Sequence, residues 1–162
     1  MTHSFWKRLS LLVAVVATLA TADLLQPQAL AQKKSDSVVK STVKAEKPDA
    51  DGKQVVTITM EVESPWHIYA NPVGQDDLAD AKTVITVGAK TALGGVTIDY
   101  PKGKVKEDKV IGNYNIYEGK VTFKATVKRT NGDSSPLTVT LKFQACNDST
   151  CLVPATVKLT TE

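Results

Sequence analysis

"PLTVTLKFQACNDSTCLVPATVKLT", residues 136–160, carries the strongest fold signal of the sequence. Apolar and polar residues alternate on both sides of "NDST", a pattern typical of two half-buried β-strands. Asn, Asp, Ser and Thr favour turns, so these four residues predict a tight connection and an antiparallel hairpin. Cys146 and Cys151, the two cysteines of the sequence, would then face each other across the hairpin, close enough for a disulfide.

Segments with the same two-residue period fill most of the remaining sequence. They are rich in Val, Ile, Thr and aromatic residues, and turn-forming residues such as Asn131-Gly132 separate them. Residues 75–82 leave room for one helical turn, and residues 115–119 are expected to form a turn. About seven to nine short strands without a crossover helix predict an all-β, antiparallel β-sandwich. The predicted strands are 38–46, 54–63, 66–70, 83–88, 95–100, 120–129, 136–145 and 155–160.

Residues 1–31 have the pattern of a secretory signal peptide. Two basic residues precede an apolar run, residues 9–20, that is too short to span a bilayer, and small-residue cleavage sites follow. We therefore predict cleavage after residue 31, a flexible polar lead-in at 32–37, and one domain at 38–162 without a membrane span. Such an exported protein works in an oxidising compartment, where disulfides persist.

The charge pattern gives no support for a nucleic-acid partner. The formal net charge is only +3, and the lysines alternate with apolar residues, as on the solvated face of strands. Hydrolytic chemistry also lacks support, because residues 32–162 contain one histidine, His67, and no Gly-x-Ser-x-Gly sequence. We expect no cofactor.

The cysteine pair has more than one interpretation. A bridge that closes so short a loop restrains the unfolded chain by roughly 2 kcal/mol, less than a long-loop bridge does, which favours exchange over stapling. The alternative is a binding or structural sandwich whose disulfide is inert. A metal site is a third hypothesis, but zinc would need Cys146, Cys151, His67 and a fourth ligand, and no regular spacing indicates one.

The segment "FQACNDSTCLVPATVKL" resembles the C-terminal hairpin of the N-terminal periplasmic domain of the thiol:disulfide interchange protein DsbD. That family has an aromatic residue, Gln, a small residue and Cys, followed by a short turn, a second Cys and a nearby Pro. "SPWHIYANPVG" (64–74) and "YPKGKVKEDKVIGNYNIYEGKVTF" (100–123) are similar, in the same order, to its aromatic strand and its cap-loop region. The likeness covers residues 38–159.

The resemblance implies an immunoglobulin-like β-sandwich with a redox pair at one end. By this resemblance, Cys151 forms a mixed disulfide with the partner protein, and Cys146 resolves it. His67 and Tyr69 would lie beside the pair, and Asp108 would accept or relay a proton. A cap loop over the disulfide would consist of Asp108, Lys109, Val110, Ile111 and Gly112.

The function that the resemblance implies is thiol–disulfide interchange in the periplasm. An exported module would relay electrons through Cys146 and Cys151 as a component of a protein-disulfide reductase system, without a metal or cofactor. Its partners would be thioredoxin-like or membrane thiol–disulfide oxidoreductases, joined by mixed disulfides. Family proteins continue into a transmembrane and a thioredoxin-like domain, and this sequence ends at Glu162. A separate protein is therefore expected to supply the electrons.

Overall fold

The computed structural model describes residues 32–130 and 133–162. The predicted signal peptide and the Asn131-Gly132 turn lie outside the described residues. The described chain is built from short strands with two 3-10 turns, Ser35–Ser37 and Asp76–Leu78, and none of its helical segments is long and apolar enough to cross a membrane. The strands are β1 (Val39–Ala45), β2 (Lys53–Val62), β3 (His67–Tyr69), β4 (Val84–Gly88), β5 (Gly95–Asp99), β6 (Lys104–Lys106), β7 (Tyr114–Tyr117), β8 (Gly119–Lys128), β9 (Thr138–Phe143), β10 (Ala145–Cys146) and β11 (Ala155–Thr160).

The strands form three antiparallel sheets around one main core. Their orders are β1-β2-β8-β5, β11-β9-β4 and β10-β3-β7-β6. Every second residue of β2 and β9, and of β8 from Phe123 onwards, is buried, because alternate side chains of a strand point to the same face. These residues join in one apolar cluster, which confirms the immunoglobulin-like β-sandwich: Val56, Ile58, Met60, Phe123, Ala125, Val127, Val139, Leu141 and Phe143.

The hairpin predicted for residues 136–160 is present. Strands β9 and β11 pair with Phe143 opposite Ala155, and a further bridge places Cys146 opposite Cys151. The Asn147 side chain accepts hydrogen bonds from the amides of Ser149 and Thr150, each at 2.9 Å, which closes the predicted turn. The predicted strand 136–145 is divided, because β10 leaves this pairing and pairs with β3 instead.

The prediction of a turn at residues 115–119 is wrong. Most of this segment belongs to β7, which pairs with β3 on one side and with β6 on the other. Its residues alternate as in a strand, with Tyr114 and Ile116 on one buried face and Tyr117 on the other. The described chain also has more strands than predicted: β6, β7 and β10 were not expected, and they have only three, four and two residues. Segments this short do not show a period in the sequence.

The small sheet β10-β3-β7-β6 presents two different faces. Its inner face contributes Ile68, Tyr117 and Ala145 to the main core. The opposite face has its own buried cluster, which includes Cys146 and Tyr69. Strand alternation therefore directs Cys146 away from the main core and into this second cluster.

Part of the predicted lead-in is packed against the C-terminal hairpin. The Ser35 hydroxyl donates to the Val153 carbonyl at 2.9 Å and accepts from the Ala145 amide at 2.8 Å, and Ser35 is fully buried. Lys34 forms a parallel bridge with Val153. The polar composition of residues 32–37 gave no indication of this contact, which holds the backbone directly before Cys146.

Replacing Ser35 with alanine should destabilise the fold. The buried Ala145 amide loses its acceptor, so we expect the free energy of unfolding to fall by about 1–3 kcal/mol, measured by urea denaturation. Ser37→Ala is the control, because the Ser37 hydroxyl makes only an exposed, local bond to Lys34. We expect that variant to stay within about 0.5 kcal/mol of wild type. Equal losses in both variants would contradict the role assigned to Ser35.

Candidate functional site

Cys146 and Cys151 form a disulfide at the end of the C-terminal hairpin. The two Cα atoms are 4.0 Å apart, and the residues are separated by five positions in the sequence. Cys146 ends β10 and is 2% exposed, whereas Cys151 follows the turn and is exposed. An incoming thiolate therefore reaches Cys151 more easily than Cys146.

The Tyr69 hydroxyl is directed at the disulfide. Its oxygen lies 3.5 Å from Cys146 Sγ and 4.0 Å from Cys151 Sγ. Because a disulfide sulfur bears no hydrogen, the phenol is the donor, and its single hydrogen serves one sulfur at a time, with Cys146 Sγ the nearer. Burial and the neighbouring Tyr114 raise the pKa of Tyr69, while Lys106 acts in the opposite direction. The phenol therefore keeps its proton at neutral pH and offers it to whichever sulfur carries negative charge.

Aromatic rings surround the Cys146 side. The ring centroid of Tyr114 lies 5.8 Å from that of Tyr69. The His67 ring packs edge-on against the Tyr69 ring, with the two centroids 6.0 Å apart. Val73 and Ile116 complete the buried cluster around Cys146. A thiolate formed here is largely removed from water, which raises its energy unless nearby donors or cations compensate.

His67 lies directly opposite Cys146 in the pairing of β3 with β10. It is 3% exposed, and its Nε2 is buried without a hydrogen-bond partner among the described residues. Burial lowers the pKa of His67, and the charge of Lys106 lowers it further, whereas Glu118 and Asp148 act to raise it. The ring is therefore neutral at pH 7 and adds no charge to the site.

An ion pair connects β6 with the turn between the cysteines. Lys106 Nζ lies 2.6 Å from Asp148 Oδ1, with the Lys106 side chain 28% exposed and that of Asp148 89% exposed. The hydrogen bond and charge of Lys106 lower the pKa of Asp148. The pKa of Lys106 is raised, chiefly by its hydrogen bond to Asp148. Both groups are therefore charged at neutral pH.

The predicted cap loop joins β6 to β7. Asp108 Oδ1 accepts from the amides of Val110 at 2.7 Å and Ile111 at 3.1 Å, and these bonds lower the pKa of Asp108. Gly112 has φ +86°, which favours glycine. Val110 is 92% exposed, so its side chain packs on nothing. The shielding role of Lys109 and its neighbours, and a proton-transfer role for Asp108, stay predictions.

The structure brings together four of the residues proposed from the sequence: Cys146, Cys151, His67 and Tyr69. The sequence analysis missed three others. Tyr114 was detectable, because "YNIY" alternates like a strand. Lys106 and Asp148 are 42 positions apart and had no local signal.

Residues 22–162 match the family described as thiol:disulfide interchange protein DsbD, N-terminal. The chain belongs to this family. The match extends over most of the sequence and confirms the resemblance seen in the cysteine hairpin. No curated protein matches the chain significantly in sequence.

Comparison with solved structures matches the chain to a ScsB domain and to DsbD N-terminal domains. The N-terminal periplasmic domain of ScsB from Proteus mirabilis has a TM-score of 0.50 and 16% identity, covering 75% of this chain and 44% of that chain. The chain thus spans less than half of the ScsB chain. The reduced Neisseria meningitidis DsbD N-terminal domain has a TM-score of 0.47 and 20% identity, covering 85% and 89% of the two chains. The complex of the Neisseria meningitidis DsbD and PilB N-terminal domains has a TM-score of 0.44 and 19% identity, covering 85% of this chain and 87% of that chain.

Protonation of His67 should weaken the fold. Its pKa in the folded protein lies below the ordinary 6.5, so the unfolded chain takes up the proton first as the pH falls. The free energy of unfolding should therefore decrease as the pH falls from about 6.5 towards the folded-state pKa, and then level off. Urea denaturation of the oxidised protein at stepped pH measures this decrease.

His67→Gln is the control for this titration, because glutamine cannot take up the proton. The free energy of unfolding of the variant should not show this decrease between about pH 6.5 and the folded-state pKa of His67 in wild type. A wild-type protein that becomes more stable over the same interval would show that the folded state binds the proton more tightly, against the prediction.

Proposed function

We propose that this protein is an exported thiol–disulfide interchange module, which relays electrons between partner proteins through Cys146 and Cys151. The observation that carries the proposal is a short-loop disulfide with one buried and one exposed cysteine, in a chain of the DsbD N-terminal family. A disulfide that closes so short a loop stabilises the fold by only about 2 kcal/mol through restraint of the unfolded chain, so stabilisation alone does not account for it.

The module accepts electrons at Cys151. A thiolate of the donor attacks Cys151 Sγ, the disulfide breaks, and its electron pair leaves on Cys146 Sγ. A second donor thiol then displaces Cys151, so the donor leaves oxidised and the module holds two thiols. The Tyr69 phenol, 3.5 Å from Cys146 Sγ, donates a hydrogen bond to the leaving sulfur.

Delivery reverses these steps. The Cys151 thiolate attacks a disulfide of the acceptor, whose S–S bond breaks: one acceptor sulfur leaves as a thiolate and the other joins Cys151 in a mixed disulfide. Cys146 then attacks Cys151 Sγ, restores the internal bridge and releases the second acceptor sulfur as a thiolate, so the acceptor leaves with two thiols. Two electrons pass in each cycle, and no metal or cofactor takes part.

The proposed partners are thioredoxin-like or membrane thiol–disulfide oxidoreductases of the periplasm. The predicted signal peptide and the family support this location. The cap loop beside β6, with the exposed Val110 and Ile111, is proposed as a contact surface for them. Asp108 would act there by holding the loop conformation through its bonds to the loop amides.

The disulfide should be reversibly reducible in the folded protein. We expect a midpoint potential above about −300 mV, below which structural bridges fall. The protein is equilibrated across a glutathione or dithiothreitol series, and free thiols are counted by mass after alkylation. A bridge that stays closed until the fold melts would overturn the relay and leave a stapled binding module.

The two cysteines should differ in their reaction with oxidised glutathione. In Cys146→Ala the remaining Cys151 is exposed, and in Cys151→Ala the remaining Cys146 is buried. We expect the first variant to form the mixed disulfide at least about tenfold faster, because access limits the reaction of the buried thiol. Mass spectrometry of quenched samples gives both rates. A faster reaction at Cys146 would reverse the assigned roles.

A further inference from the structure

The Lys106–Asp148 ion pair lies across the face that carries the disulfide. Strands β6 and β10 are the two edges of the small sheet, and β3 and β7 lie between them. Lys106 is on one edge, and Asp148 is in the turn that follows the other edge. Their contact at 2.6 Å therefore connects the two edges of the sheet.

The strand register places Lys106 on the same face as the buried cysteine. Lys106 is opposite Tyr114, Ile116 is opposite Tyr69, and His67 is opposite Cys146. Residues that are opposite, or two apart in one strand, share a face. Lys106 thus lies on the same face of the sheet as Cys146, with the side chains of β7 and β3 between them.

This face has an unequal charge balance. Burial raises the pKa of the Tyr69 phenol and lowers the pKa of the His67 ring, so both are neutral at pH 7. Lys106 has its side chain 28% exposed, whereas its partner Asp148 is 89% exposed and well screened by water. Glu118 is the other carboxylate that raises the pKa of Lys106. It forms its own ion pair with Lys104, whose Nζ lies 2.9 Å from Glu118 Oε2. The positive end of the pair is thus the less solvated one.

We propose that Lys106 tunes the redox pair, by stabilising the thiolate that leaves on Cys146, and that Asp148 holds and attenuates this charge. The inference rests on the proposed function. The oxidised bridge is neutral, so a nearby cation does little to it. Once the bridge opens, the buried Cys146 sulfur carries a negative charge, and the same cation stabilises the reduced form.

The Lys106 ammonium pairs with Asp148 and makes no hydrogen bond to either sulfur in the oxidised structure, so it acts through space. This distinguishes it from Tyr69, whose hydroxyl is in contact with Cys146 Sγ. An electrostatic role predicts opposite effects for the two members of the ion pair. Removing Lys106 takes away the favourable charge, and removing the Asp148 charge leaves Lys106 unopposed.

The test compares Lys106→Gln with Asp148→Asn. At a pH above about 8.5, where ordinary thiols ionise, Lys106→Gln should lower the equilibrium constant for reduction by dithiothreitol about threefold to tenfold, and Asp148→Asn should raise it by a smaller factor. The double variant should fall between the two. Lys120→Gln is the matched control, since it removes an exposed lysine from an ion pair with Glu61 on strands outside the small sheet, and it should leave the constant unchanged.

Two further readouts separate tuning from a purely structural role. In a Cys151→Ser background, Lys106→Gln should raise the pKa of the Cys146 thiol, and Asp148→Asn should lower it, as followed by thiolate absorbance. The effects on the reduction equilibrium should also grow as the pH rises through about 8.5, the ordinary thiol pKa, because only the thiolate responds to the cation. High salt should diminish them.

The outcomes are distinct. If both variants shift the equilibrium constant in the same direction, the ion pair has a structural role. If neither variant shifts it, the charge of Lys106 does not affect the sulfur. Either result overturns the inference. A wild-type bridge that cannot be reduced overturns the proposed function, while the thiol pKa in the Cys151→Ser background still tests Lys106. Asp148 is 89% exposed on the turn, so its variant keeps the test readable even if Lys106→Gln fails to fold.

Discussion

The pairing of β10 with β3 is the constraint on which the site depends. It places Cys146 opposite His67 and Ala145 opposite Ile68. A slip of one residue would reverse both faces, so that Cys146 would enter the main core. The Ser35 hydroxyl, bonded to the Ala145 amide, holds the backbone at this position. A contact from a distant N-terminal segment thus fixes which way the redox sulfur points.

The two cysteines therefore lie in different surroundings although they are bonded to each other. Cys146 belongs to a strand and is enclosed by Tyr69 and Tyr114, whereas Cys151 follows a polar turn that water reaches. In the proposed function, this division separates the sulfur that meets a partner from the sulfur that takes up the negative charge. In that proposal, a neutral phenol stabilises the charge at short range, and a lysine on the opposite edge of the sheet stabilises it at long range.

Several features were predictable because their causes are local. Alternating residues indicated the long strands β2, β8 and β9, and four turn-forming residues indicated the cysteine hairpin. The strand β7 was missed, since its polar residues and the following Gly119 favoured a turn. The buried Ser35 was missed as well, because a polar residue satisfied by backbone groups 110 and 118 positions away has no local signature.

By itself, the sequence determined an all-β chain and a disulfide-ready hairpin, because period and turn chemistry are written in neighbouring residues, and its cysteine motif resembled that of a redox family. Only the tertiary structure decided what surrounds the cysteines. Sheet order and register brought Lys106 to Asp148 over 42 positions and set Tyr114 against Tyr69. Non-local strand pairing determines these contacts, and such pairing depends on the whole fold rather than on any one segment.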